Sequence, residues 1–107
     1  MIKEEQVFLR NEDIKIEALL YNADSQKAVI VCHPHPLMGG SMHNNVVETA
    51  VRAFASENYA TLRFNFRGVG ASSGVYDEGK GEAQDIIFAC RYLRDSAAQS
   101  QVCIGNR

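Results

Sequence analysis

Ala28-Val29-Ile30-Val31-Cys32, followed at once by His33-Pro34-His35-Pro36-Leu37-Met38-Gly39-Gly40, is the stretch on which the fold turns. The run from Ala28 to Cys32 is continuously apolar and rich in β-branched side chains. A strand with no polar alternation is covered on both faces, which points to a parallel sheet. The prolines and glycines after it make a tight loop. A helix follows: Asn44 or Asn45 can cap it, and Glu48 favours the N-terminal end of its dipole. Val47, Ala50, Val51 and Phe54 keep helical spacing, and Asn58 is suited to stop the helix.

Downstream, residues 60–66 read as a second strand, with Leu62, Phe64 and Phe66 on one face. Residues 67–81 form a glycine-rich loop. Residues 82–97 read as a second helix whose apolar stripe is Ala83, Ile86, Ile87, Cys90 and Leu93. Residues 102–104 make one more strand. Upstream, residues 6–10 and 14–19 read as strands, the latter alternating apolar and charged side chains, with Asn11-Glu12-Asp13 as a hairpin turn and a polar loop at 21–27. The order β-β-β-α-β-α-β predicts an α/β fold: a mainly parallel sheet of about five strands with helices on both faces. The 107 residues are expected to form one unit, without internal repeats.

The composition excludes several classes of function. At 46% hydrophobic and 22% charged residues, the chain has a globular rather than a disordered composition. A formal net charge of -2 is too acidic and too balanced for a protein that binds nucleic acid or anionic membranes. The first residues lack a signal-peptide apolar core, and the stretch from Ala28 to Cys32 is too short to span a bilayer. A cytoplasmic protein is therefore expected. Cys32, Cys90 and Cys103 lie in apolar runs without CxxC spacing, so they are expected to be reduced, buried thiols.

A second motif, Arg67-Gly68-Val69-Gly70-Ala71-Ser72-Ser73-Gly74, also follows a strand directly. Other chemistries compete for these two motifs and fit less well. His33 and His35, with His43 nearby, have ligand chemistry, but no carboxylate follows at ligand spacing, so no metal is expected. Gly68-Val69-Gly70 starts like a dinucleotide loop, yet its third glycine falls at Ser73 and no helix begins there. Gly74 to Gly81 approaches a phosphate-binding loop, but no hydroxyl residue follows Lys80 and no strand precedes it.

Taken in order, HPHPxxGG and FNFRGVGxSxG resemble a branch of bacterial α/β-hydrolases, over roughly residues 14–105. Asn65 stands where many members of the superfamily have Asp; an Asn keeps the hydrogen-bonding shape and loses the charge, which assigns it a structural role. The resemblance implies a serine hydrolase that cleaves esters, thioesters or amides of a small acyl substrate, with no cofactor. It also implies that the loop after residue 32 supplies a backbone donor to the oxyanion hole. Pro34 and Pro36 have no N–H to give, so His35 N–H is the first candidate and Leu37 N–H the second. Gly39, Gly40, Gly68 and Gly70 would shape the loops beside the site.

The resemblance also says what these residues do not contain. Gly105 fits the first glycine of a G-x-S-x-G nucleophile elbow, but the serine position then falls at Arg107, and a guanidinium cannot attack a carbonyl. The acid and the base come later still in this superfamily. Ser72 and Ser73 lack an elbow and an assigned base. The expectation is a truncated α/β-hydrolase fold, inactive alone. The alternative is a non-catalytic protein or half-fold that acts through self-association, by an exposed sheet edge or face, or through a partner.

Overall fold

The structure is a computed structural model that describes residues 3–11, 13–23, 27–33, 40–97 and 101–105. The alternating pattern at the start becomes a hairpin. Strand β1 (Glu5–Asn11) pairs antiparallel with β2 (Ile14–Tyr21), from Glu5 opposite Leu20 to Asn11 opposite Ile14. Along β2, Ile16, Ala18 and Leu20 are buried while Lys15, Glu17 and Leu19 are only partly covered, as period-two alternation requires.

The continuous apolar run becomes β3 (Lys27–Val31), the central member of three parallel strands. On one side it pairs with β4 (Ala60–Phe64), and on the other with β5 (Gln101–Gly105). The sheet order is β1-β2-β4-β3-β5. Four of the five strands point the same way; β2 alone runs against its neighbours.

Helix α1 (Asn45–Ser56) joins β3 to β4, and α2 (Lys80–Ala97) joins β4 to β5. The two crossovers travel in opposite directions along the sheet, because β4 and β5 flank β3. Crossovers of one hand that travel in opposite directions place their helices on opposite faces. The core shows this division. Val29 and Val31 of β3 pack with Val47 and Val51 of α1, whereas Ala28, Ile30, Leu62 and Phe64 pack with Ala89 and Leu93 of α2. Each of these side chains is at most 1% exposed.

Asn44 caps α1, its side-chain oxygen accepting from Val46 N–H at 2.8 Å. Asn58 ends it in the left-handed region at φ 66°, which an Asn tolerates. Three expectations need correction. The second parallel strand stops at Phe64 rather than at residue 66, because Phe66 N–H donates to the His33 imidazole instead of a strand neighbour. Helix α2 starts at Lys80, before residue 82, because the Glu82 carboxylate accepts from Asp77 N–H and Gly79 N–H and so closes its first turn. The inner face of α2 is also rotated from the expected stripe. Ala83 is exposed and Ile87 is 44% exposed, while Glu82, Asp85, Ala89 and Leu93 are buried; Ile86 and Cys90 pack at the margin. The polar pair wins the inner face near the loop because its carboxylates have hydrogen-bond partners there.

Cys32 and Cys90 are free thiols, and burial pushes the Cys90 thiol above its ordinary value. Cys32 is buried as expected, whereas Cys90 is only partly buried, at the margin of the α2 face. The side chain of Cys103 lies outside the described residues.

Candidate active site

Because α1 and α2 take opposite faces, the chain after β3 and the chain after β4 diverge at the carboxyl ends of adjacent parallel strands. Open α/β sheets bind their ligands in the crevice at such a point. The two sequence motifs lie there. The candidate donors His35 and Leu37, with Gly39, lie outside the described residues, and so do Pro34, Pro36 and Met38. Gly40 is described and buried. The described site therefore consists of what flanks and supports that segment.

His33 stands before it. The side chain is 3% exposed, and Nε2 accepts from Phe66 N–H at 3.1 Å, with the imidazole edge-on to the Phe66 ring. That lone pair is thus engaged by a backbone donor. Met42 stands after the segment, and two residues of β4 and its extension hold its backbone. Asn65 Oδ1 accepts from Met42 N–H at 2.8 Å, and Arg63 Nη1 donates to the Met42 carbonyl at 2.8 Å. Arg63 also donates to both oxygens of Glu4, at 2.8 and 3.0 Å, and lies 3.4 Å from Glu48. A guanidinium so committed, with its side chain 8% exposed, is a brace rather than a substrate-binding cation.

The glycine-rich loop after β4 is tied to β2, which extends past the end of β4. Asn65 N–H donates to the Glu17 carbonyl, and Ser73 N–H to the Lys15 carbonyl. Ser72 Oγ donates to the Asn65 carbonyl at 2.6 Å and accepts from Glu17 N–H at 2.8 Å. Ser73 Oγ accepts from Lys15 N–H at 2.7 Å. Both hydroxyls thus serve the backbone, and Ser72 is 7% exposed.

Glu17 organises the inner side of this loop. Its Oε1 accepts from Asn65 Nδ2 at 2.8 Å and from Ala71 N–H at 2.9 Å, and its Oε2 accepts from Gln6 Nε2 at 3.2 Å. Burial pushes the carboxyl up. The hydrogen bonds from Ala71, Asn65 and Gln6, with the charge of His43, together outweigh burial and hold it below the ordinary value. Gly70 is required here: at φ 55° an added Cβ would sit 2.5 Å from Asn65 Nδ2 and 2.9 Å from Glu17 Oε1. Gly68, at φ 82°, makes the preceding turn.

On the other face Arg67 docks on α2. Its N–H donates to Asp85 Oδ2 at 3.0 Å, and its guanidinium reaches Asp85 Oδ1 at 2.8 Å. The hydrogen bond to Asp85 raises the Arg67 value, which burial opposes. Glu82 is pushed up by burial, but its bonds from Asp77, its own N–H and Gly79, with Arg67 nearby, leave it lowered.

The motif glycines and serines stand out in the sequence; Glu17, Arg63, Glu82 and Asp85 do not. Arg63 left one signal: a charge on the opposite face from Leu62 and Phe64 in an otherwise uncharged strand. Among the described residues, no three His, Cys, Asp or Glu side chains are placed together to hold a metal.

No protein-family profile matches the chain. It is 39% identical over 104 residues to an uncharacterized protein of Rickettsia prowazekii, covering 94% of this chain and 44% of that one. Among solved structures, an alpha-beta serine hydrolase homologue from Coxiella burnetii superposes with a TM-score of 0.89 at 34% identity, over 97% of this chain and 51% of its own. An α/β serine hydrolase without lid from Xanthomonas campestris gives 0.86 at 30% identity, over 95% and 49%. An esterase from Pyrococcus furiosus shares the fold, with a TM-score of 0.83 at 23% identity. The chain spans about half the length of these solved relatives.

Proposed function

The fold is that of the α/β serine hydrolases over about half their length, and on this premise we propose that the chain is the N-terminal portion of a hydrolase domain supplying the oxyanion side of an acyl-transfer site. The reaction class is hydrolysis of an ester, thioester or amide of a small acyl substrate through a serine acyl-enzyme. His35 N–H is the first candidate donor to the oxyanion and Leu37 N–H the second, with Gly39, Gly40, Gly68 and Gly70 shaping the loops. The observation that carries the reading is the anchoring of His33 and Met42 to one strand end beside the crevice. A preorganised donor needs such fixed flanks, because electrostatic stabilisation works only if the dipole does not reorient during the reaction.

The 107 residues by themselves are silent in this scheme. Ser72 and Ser73 are spent on the backbone of β2, and an oxyanion donor stabilises a charge that needs an attacking group to create it. The test has two arms. Joined after Gly105 to the remainder of the Rickettsia prowazekii relative, the chain is expected to hydrolyse an activated short-chain ester. Alone, it is expected to show no turnover above a heat-denatured control. A folded hybrid without esterase activity contradicts the assignment, and so does turnover by the isolated chain that disappears on Ser72→Ala or Ser73→Ala.

A second reading, a non-catalytic half-fold acting through self-association or a partner, rests on one feature. β5 is the edge of the described sheet, and beside it α2 exposes Ile87. Unpaired edge groups and apolar surface favour pairing with another chain. Sedimentation across a concentration series decides it: a concentration-independent monomer removes the self-association arm. Neither reading calls for nucleic acid. A cytoplasmic location belongs to the proposal, and no described helix is long and apolar enough to cross a membrane.

A further inference from the structure

We propose that Asn65 is a positioning residue for the oxyanion-side segment, and that it works there as an amide because Glu17 faces it. The inference rests on the functional reading above and deepens it by naming what sets the segment's exit. Asn65 sits just past the end of β4, 2% exposed, and its two side-chain polar atoms do opposite jobs. Oδ1 accepts from Met42 N–H, and Nδ2 donates to Glu17 Oε1, both at 2.8 Å. Met42 is 1% exposed, and its carbonyl is held by Arg63, so both polar atoms of its backbone are fixed from β4. The other flank, His33, is held by Phe66 N–H. The described flanks of the segment, His33 and Met42, are therefore held by three residues at or just past the end of β4: Arg63, Asn65 and Phe66.

The identity of residue 65 follows from its neighbours. Around its outer atom stand the Glu17 carboxylate of β2, which Gln6 of β1 and Ala71 N–H also contact, and His43, whose charge reaches Glu17. An aspartate at 65 would still accept from Met42 N–H. Its second oxygen would meet the Glu17 carboxylate at hydrogen-bond distance with no proton between them. Like charges so placed cannot both stay ionised without cost, so one of them takes up a proton at unusually high pH or the pair separates. Gly70 leaves no room for separation toward the loop, since even a Cβ there would meet both partners. A carboxylate at 65 thus demands a donor at 17, and the carboxylate that stands at 17 demands a donor at 65, which Asn65 Nδ2 supplies.

Amide hydrogen exchange of Met42 in the intact chain tests this. After correction for intrinsic rates, Met42 protection in the natural sequence should stay level between about pH 5 and 8. Asn65→Asp should lose roughly tenfold of that protection at the alkaline end, the scale of one net hydrogen bond, and regain it on acidification as the carboxylate pair takes a proton. Glu17→Gln combined with Asn65→Asp should restore natural protection at neutral pH, because the new amide donates to the new carboxylate. A merely structural defect would be neither pH-reversible nor repaired by a change at residue 17. Natural-like protection in Asn65→Asp at pH 8 overturns the proposal. So does a double variant no better protected than the single one, or one that fails to fold. The hybrid enzyme separates the two layers. If Met42 behaves as described but the hybrid has no esterase activity, the functional reading fails and the action of Asn65 on Met42 stands. If the hybrid is active and Asn65→Asp leaves kcat unchanged at pH 8, the positioning role fails.

Discussion

Two connections leave the same end of the parallel sheet, and their described residues are held by different partners. The chain after β3 is held by described anchors at its flanks, His33 and Met42. The chain after β4 is stitched along its length: Gly68 to Ser73, Ser72 to Val69, Ser73 to Lys15, Ala71 to Glu17, Arg67 to Asp85 and Asp77 to Glu82. The second connection carries the more recognisable motif, yet its residues spend their polar atoms on the scaffold. Its serines and arginine tie the loop to β2 and α2. A recognisable motif can thus be built of residues whose polar atoms are committed to the scaffold.

The largest effect expected from breaking the stitched connection comes from Asp85→Ala. It leaves the Arg67 guanidinium and N–H without their acceptor, and breaking a buried pair by removing one partner costs about 3–5 kcal/mol. The Arg67 side chain is 16% exposed, so water recovers part of this and the lower end is expected, read from urea unfolding. Gly70→Ala comes next. It forces a left-handed φ on alanine and drives its Cβ into Asn65 and Glu17, for a loss of about 1–3 kcal/mol. It should also disturb Met42, coupling the two connections; an unchanged Met42 amide signal in a folded Gly70→Ala variant would show that they are independent. Asn44→Ala, outside both, removes the α1 cap and should cost about 1 kcal/mol with the site undisturbed.

Acid sharpens the same comparison. Glu17 and Glu82 are both held below the ordinary value of 4.5, and both accept hydrogen bonds from N–H groups of the stitched connection. A carboxyl whose folded-state value is depressed binds its proton more readily in the unfolded chain. Its contribution is therefore present above about pH 4.5 and is lost as pH falls through the folded value. Stability should decline below that point, and Glu17→Gln should make the decline shallower; an equal slope in the variant would mean that Glu17 does not share in it.

The strands and α1 were legible in the residues because each is a local pattern: the apolar run of β3, the alternation of β2, and Asn44 ahead of Val47 and Val51. The inner face of α2 was not, because Glu82 and Asp85 read as solvent-facing until Arg67 and the loop N–H groups are placed beside them. The supports of the site were hidden for the same reason. Asn65 and Glu17 stand 48 positions apart, and Ser72 and Glu17 stand 55 apart. No periodicity reports a partner at that separation. The location of the candidate site could still be read, because both motifs directly follow parallel strands, where the fold opens its crevice.

The central claim is that this chain provides the oxyanion side of a serine-hydrolase site and no nucleophile of its own. The most direct test is to treat the hybrid with a fluorophosphonate and map the adduct by peptide mass spectrometry. The account predicts a single phosphonylated serine contributed by the relative's portion, with Ser72 and Ser73 unmodified. An adduct on Ser72 or Ser73 would contradict it.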